Sequence, residues 1–168
     1  LLLTTDAKPN AAHAALAKLE AQGKLTAVVT QNIDGLHQLA GSKNVYELHG
    51  SIHRNHCMRC NRFFDAEYVK NHSVIPYCPC GGMIKPDVVL YEESLDPDVL
   101  AGAVAHISRA DMLIVGGTSL QVYPAAGLIN YYSGNKLVLI NKTITPYDSY
   151  ANLVINDSIG KVLSAAVE

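Results

Sequence analysis

Four cysteines stand in two close pairs, Cys57/Cys60 and Cys78/Cys80, with the spacing C-x2-C-x17-C-x-C. Zinc prefers four soft ligands at the corners of a tetrahedron, and two short chelating turns supply them with little distortion. Gly81 and Gly82 follow the second pair and permit the turn that a metal knuckle requires. The pattern predicts one zinc ion held by all four thiolates. Such a site is closed, and therefore structural rather than catalytic. The second pair is one residue tighter than the usual C-x2-C, and His53 and His56 are substitute ligands if it cannot close. A disulfide pair or four ordinary buried thiols are the plainer alternatives. Close pairs in a chain without a secretory signal favour metal over disulfide and a reducing, cytoplasmic compartment.

Polar residues with a different chemistry cluster at Thr30-Gln31-Asn32-Ile33-Asp34-Gly35-Leu36-His37, directly after an apolar run. Amide and carboxylate groups at the carboxyl end of a buried strand suit hydrogen bonding to a ribose or an amide ligand. Spacing alone leaves this reading level with a plain Asp-Gly turn. Gly116-Gly117-Thr118-Ser119 ends a second apolar run, where small residues let backbone amides approach a phosphate. A Gly-Gly turn after a strand is common, so this signal is weak alone. Asn141 ends a third such run and is otherwise a simple strand-terminating residue. His49 and His53 lie four apart, but Gly50 stands where a metalloprotease helix needs its glutamate base, which excludes that chemistry.

The elements that must position these residues follow from the apolar periodicity. Asn10 is a good N-cap for a helix carrying Ala12, Leu16 and Leu19 on one face, which Gly23 stops. Residues 24–31 read as a buried strand, as do 111–116, 136–141 and, more briefly, 152–155. Asp96-Pro97 opens a helix to about Ser108, residues 124–132 are helical, and Asp157 is placed to cap a last helix. Short runs rich in β-branched residues, without alternation and separated by helices, indicate a parallel sheet covered on both faces, hence a doubly wound α/β domain. Residues 51–84 break the pattern and read as an inserted small module, leaving 1–50 and 85–168 as the main domain.

Composition agrees with this. The chain has 168 residues, of which 49% are hydrophobic and 17% charged, with a formal net charge of -2. That is too apolar and too neutral for a disordered chain. No apolar run approaches the roughly 20 residues of a membrane helix. The basic residues are scattered, which speaks against dedicated nucleic-acid binding. Residue 1 is Leu, and Leu1–Leu3 is too short for a signal-peptide core, so the chain reads as a piece that has lost its natural start.

Taken together, these segments resemble the sirtuins, the NAD-dependent protein lysine deacylases, most closely those of bacterial type. The matching residues are Lys8-Pro9-Asn10 with His13, the octet Thr30–His37, Leu48-His49-Gly50, the two cysteine pairs, the nonet Lys85–Glu93, Gly117-Thr118-Ser119-Leu120 and Ile140-Asn141. The resemblance implies a Rossmann-like domain carrying the zinc module, and NAD as co-substrate. It implies that His49 is the base acting on the ribose hydroxyls, and that Gln31, Asn32 and Asp34 line the nicotinamide and ribose pocket. Gly117, Thr118 and Ser119 would meet the phosphates and ribose, Asn141 the adenosine ribose, and Ser158 and Ile159 the adenine through backbone groups. Val88, Leu90 and Tyr91 would hold an acyl-lysine protein or peptide substrate. The products would be nicotinamide, free lysine and O-acyl-ADP-ribose.

The chain departs from the family's pattern in its C-x-C pair, and neither the G-A-G-x-S turn nor the G-I-P-D-F-R loop occurs upstream. Those elements supply the first phosphate-binding turn and the lid over NAD, and the lost segment holds the residues that select the acyl chain. A fragment without them is expected to bind NAD weakly and to deacylate poorly. Two other functions compete: mono-ADP-ribosyl transfer to protein from the same pocket, and a non-catalytic zinc-ribbon binding module. Polar motifs at several strand ends favour a ligand site over the latter.

Overall fold

The computed structural model describes residues 7–72 and 75–167. The expectation about Leu1–Leu3 lies outside them. Helix α1 (Ala11–Ala21) begins where Asn10 accepts hydrogen bonds from the Ala12 and His13 amides, while the Asn10 N–H donates to His13 Nδ1. This reciprocal capping satisfies three of the amides that a helix start leaves orphaned. Strand β1 (Val28–Thr30) follows, then the single turn α2 (Leu36–Leu39) and strand β2 (Val45–Glu47), which runs parallel to β1.

Strand β3 (Gly50–Cys57) then turns away from the parallel layer. It pairs antiparallel with β4 (Phe63–Phe64) on one side and β5 (Ile84–Val88) on the other, with α3 (Ala66–Lys70) packed against it. This antiparallel sheet is the inserted module, and its last strand runs on to Val88, beyond the expected edge at residue 84. Helix α4 (Pro97–Arg109) is capped by the Asp96 side chain and has proline at its first position, as its sequence predicts. Strands β6 (Leu113–Gly116), β7 (Leu137–Ile140) and β8 (Leu153–Ile155) form a second parallel sheet in that order. Helix α5 (Ile159–Ala166) closes the described chain.

Three expectations need correction. The strands are shorter than their apolar runs, because Lys24–Ala27, Asp111–Met112 and Lys136 lie outside the ladders. The segment around 124–132 is a 3-10 helix, Ala125–Tyr131, rather than an α-helix. The cap of α5 is Ser158, and Asp157 instead accepts from the Ser158 amide and pairs with Lys161 one turn on.

Strand β7 shows why the sheet is parallel and enclosed. Leu137 and Leu139 pack with Leu120 and Ile129 on one face, while Val138 and Ile140 meet Ala12, Ala15 and Leu163 of α1 and α5 on the other. A strand covered on both faces has no polar side to alternate with, hence the continuous LVLI. A third cluster of Leu48, Ala103, Ile107, Ala125 and Leu128 seats α4 and the 3-10 helix beside β2. Helix α4 approaches β2 so closely that a Cβ on Gly102 would lie 2.3 Å from the Tyr46 ring. No described helix is long and apolar enough to cross a membrane.

Leu139 is 1% exposed at the centre of this packing. Leu139→Ala should lower the unfolding free energy by about 2–5 kcal/mol, the range for a buried leucine whose cavity only partly collapses. Urea unfolding checks this, and the midpoint should fall while the slope stays unchanged.

Candidate functional site

The polar residues expected at strand ends come from three elements that converge. After β1, the Thr30 hydroxyl accepts from the Asn32 amide, and the Asp34 carboxylate accepts from the Leu36 amide and from the Asn32 side chain. Gly35 sits in the left-handed region at φ +68°, which lets the chain reverse into α2. Gln31 reaches across to donate to the Thr118 hydroxyl at 3.4 Å. The Thr118 amide in turn donates to Asn141 Oδ1 at 3.1 Å. Gln31, Thr118 and Asn141 thus form a chain of contacts along the carboxyl ends of β1, β6 and β7, where open α/β sheets bind ligands.

Two further features distinguish this edge. Asn141 is buried, and among the described residues its Nδ2 has no hydrogen-bond partner. His37 Nδ1, Ser42 Oγ and Asn55 Oδ1 are buried without partners among the described residues as well. Gly117 has φ +65° and open space where a Cβ would stand, leaving its backbone approachable. The neighbouring Gly116 has no such space, since a Cβ there would lie 2.3 Å from Ile159 Cδ1. That contact brings Ser158 and Ile159, at the start of α5, beside the β6 end.

His49 occupies the junction between β2 and β3. Its Nδ1 donates to the Gln31 carbonyl at 3.0 Å, which fixes the tautomer and leaves Nε2 as the nitrogen that can take up a proton. Its own carbonyl accepts from the Val89 amide. The residue after it must be glycine: Gly50 has φ +78°, and a Cβ would lie 1.9 Å from the Asp87 carbonyl oxygen. Of the residues expected to hold substrate, Val88 lies within β5 beside Gly50, whereas Leu90 and Tyr91 follow the strand and are exposed, Tyr91 fully. The Leu90 amide and then Lys85 bond the Glu93 carboxyl and hold it below the ordinary carboxylate range, so this turn is tied back to β5.

Cys57, Cys60, Cys78 and Cys80 converge with all four sulfurs within 4.8 Å of one another. Separations of 3.5 Å for Cys57–Cys80 and 3.6 Å for Cys60–Cys78 link the two pairs crosswise. Four sulfurs at about 2.3 Å from a tetrahedral ion lie about 3.8 Å apart, so the thiols fit one zinc. The tight C-x-C pair closes, because Gly81 takes φ +83° and the Gly82 carbonyl accepts from the Cys78 amide. A Cβ on Gly82 would stand 2.6 Å from Cys57 Sγ. The substitute histidines are occupied elsewhere: His53 Nε2 bonds the Asp34 carbonyl and His56 Nδ1 the Asp87 carboxylate. Arg59 clasps the cluster by donating to the Cys80 carbonyl at 2.8 Å, a contact nothing in the spacing foretells.

Ionisation of the thiols is uneven. Burial opposes charge on Cys57, yet amide donors from Cys60 and Arg59, with the neighbouring thiols, bring it down to about 6. At Cys78 an amide contact from Cys80 favours the thiolate, but burial and three adjacent thiols push it up to about 12. Within α1 and α2, burial first and the adjacent His13 second lower the pKa of His37, whose ring centroid is 4.6 Å from that of His13.

Polar side chains meeting at parallel strand ends, beside a four-thiol cluster on an antiparallel sheet, define a Rossmann-like α/β fold with a metal-binding insert. The family model described as the Sir2 family matches residues 1–124. A Clostridium acetobutylicum protein named NAD-dependent protein deacetylase is 68% identical over 168 residues, covering 99% of this chain and 69% of its own. A Clostridium tetani protein of the same name is 66% identical, with 96% and 66% covered. A solved structure of Sir2 bound to acetylated peptide superposes with a TM-score of 0.90 at 42% identity, covering 98% of this chain and 72% of that one. The chain belongs to the Sir2 family.

Metal analysis should find one zinc per chain. Cys80→Ser should lower zinc retention against a chelator at least tenfold, and Gly82→Ala should do the same by displacing Cys57 Sγ. Because the Cys78 thiol must lose its proton to bind, zinc loading should release protons and weaken on acidification, readable by proton uptake during chelation.

Proposed function

We propose that this chain carries the catalytic centre of an NAD-dependent protein lysine deacylase, which transfers the acyl group of a modified lysine to ADP-ribose and releases nicotinamide. One observation carries the reading. The tautomer-locked His49 stands where the polar loop of residues 31–36 meets the strand that leads into Val88–Tyr91. One residue thus bonds the polar loop through its ring and the Val88–Tyr91 segment through its backbone carbonyl.

NAD, as co-substrate, supplies a ribose whose bond to a cationic nicotinamide is already weak. Gln31, Asn32 and Asp34 would hold the nicotinamide and its ribose, with the Asp34 carboxylate fixed where positive charge develops on the sugar. Thr118 and Gly117 would approach the phosphates together with Ser119. Asn141 would give its orphaned Nδ2 hydrogen to a ribose oxygen, and Ser158 and Ile159 would border the adenine. His49 Nε2 accepts the proton of a ribose hydroxyl, and the Gln31 carbonyl stabilises the resulting imidazolium through Nδ1. Val88 would pair with an extended peptide, and the exposed Leu90 and Tyr91 would flank the acyl-lysine.

We assign the zinc to the module alone. Residues 51–84, with their sheet completed by 85–88, form a unit set into a domain built from residues 1–50 and 85–168. Four free thiols poised for metal suit a reducing, cytoplasmic compartment.

In the whole protein, His49→Ala should reduce NAD-dependent deacylation by about 10²–10⁴-fold, the span for loss of a general base. Zinc content and melting temperature should hold. Chromatography of the reaction on an acetylated peptide tests the chemistry itself: free lysine peptide and acyl-ADP-ribose must appear one for one with nicotinamide. An ADP-ribosylated peptide in their place would turn the reading to transferase.

A further inference from the structure

His53 was weighed above only as a spare metal ligand, yet its side chain touches the other site. From the fourth residue of β3, its Nε2–H donates to the Asp34 carbonyl at 2.9 Å. The ring also lies against Gly35, so closely that a Cβ there would stand 2.8 Å from His53 Cδ2. Its own amide is held by the Ser51 hydroxyl, and the preceding Ile52 amide donates to the Ile33 carbonyl at 3.1 Å. With His49 Nδ1 on the Gln31 carbonyl, three groups from one short stretch hold three carbonyls of the loop between β1 and α2.

We infer that His53 is a positioning residue for the pocket formed by Asn32 and Asp34. The hydrogen bond fixes the Asp34 peptide plane, and the ring floors the left-handed turn at Gly35. Together they set the direction of the Asp34 carboxylate, which orders Asn32 through its side chain and α2 through the Leu36 amide. His53 touches no ligand in this scheme and acts only through the loop. The inference deepens the deacylase reading and rests on it for its effect on turnover. The brace itself is a property of the free protein.

Three variants of the whole protein separate hydrogen bond from bulk. His53→Phe keeps a ring and loses the donor, His53→Gln keeps an N–H at similar reach, and His53→Ala removes both. Amide hydrogen exchange of the free protein should speed up about tenfold or more at Asn32, Leu36 and Ile52 in the Phe and Ala variants, and stay within threefold in the Gln variant. In steady state, kcat/KM for NAD should fall about 10–100-fold in the Phe and Ala variants, since ångström-scale misplacement of binding groups costs on that order. The Gln variant should recover most of it, with KM for the acetylated peptide and zinc content unchanged throughout. Wild-type behaviour of His53→Phe in both measurements would overturn the inference. So would a Gln variant no better than Ala, or a parallel decline of NAD constants, peptide constants and zinc. An inactive wild-type protein would refute the deacylase reading instead, and the exchange measurement would still decide the brace.

Discussion

The structure depends on one strand serving two layers. Strand β3 leaves the parallel layer at His49 and ends as the first metal ligand at Cys57, so eight residues connect the candidate base to the thiol cluster. The turn that starts it is possible only because Gly50 has no side chain: the Asp87 carbonyl of β5 occupies the space a Cβ would need. That close approach fixes the pairing of Gly50 with Val88 at one end, and after a register shift between Ser51 and Asn55 the same strands pair Cys57 with Ile84 at the other. A larger residue at position 50 would push the two strands apart at the His49 end.

The rest of the site is assembled by side chains crossing between strand ends rather than by any single motif. Gln31 meets Thr118, Thr118 meets Asn141, and Ile159 packs on Gly116. Each contact is modest, a neutral hydrogen bond contributing about 1 kcal/mol net. Their common effect is geometric, since they tie loops from β1, β6 and β7 into one rim.

Much of this was legible in the residues. The Asn10 and Asp96 caps, the both-faces burial of residues 137–140 and the four-thiol cluster all follow from local rules that act within a few positions. Asp157 failed as a cap because its carboxylate had a nearer donor in the Ser158 amide and a partner in Lys161. Residues 125–131 form a 3-10 helix packed against α4, a form that apolar periodicity does not encode. His53, Arg59 and the orphaned Asn141 donor were illegible for one reason: their meaning comes from carbonyls and cavities 19 or more positions away. A lone histidine or arginine carries no spacing signature for a main-chain partner.

The loop between β1 and α2 is held chiefly through its backbone. The carbonyls of Gln31, Ile33 and Asp34 are the fixed points, and a main-chain oxygen is present whatever the side chain. Position and chemistry are thereby separated along this segment. The Ile33 side chain can be exchanged without disturbing these fixed points, whereas the Gln31 and Asn32 side chains also tie the loop to Thr118 and Asp34, and Gly35 is gripped from β3. The frame of the loop is thus carried by main-chain oxygens, and a substitution at Ile33 would leave all three of them in place.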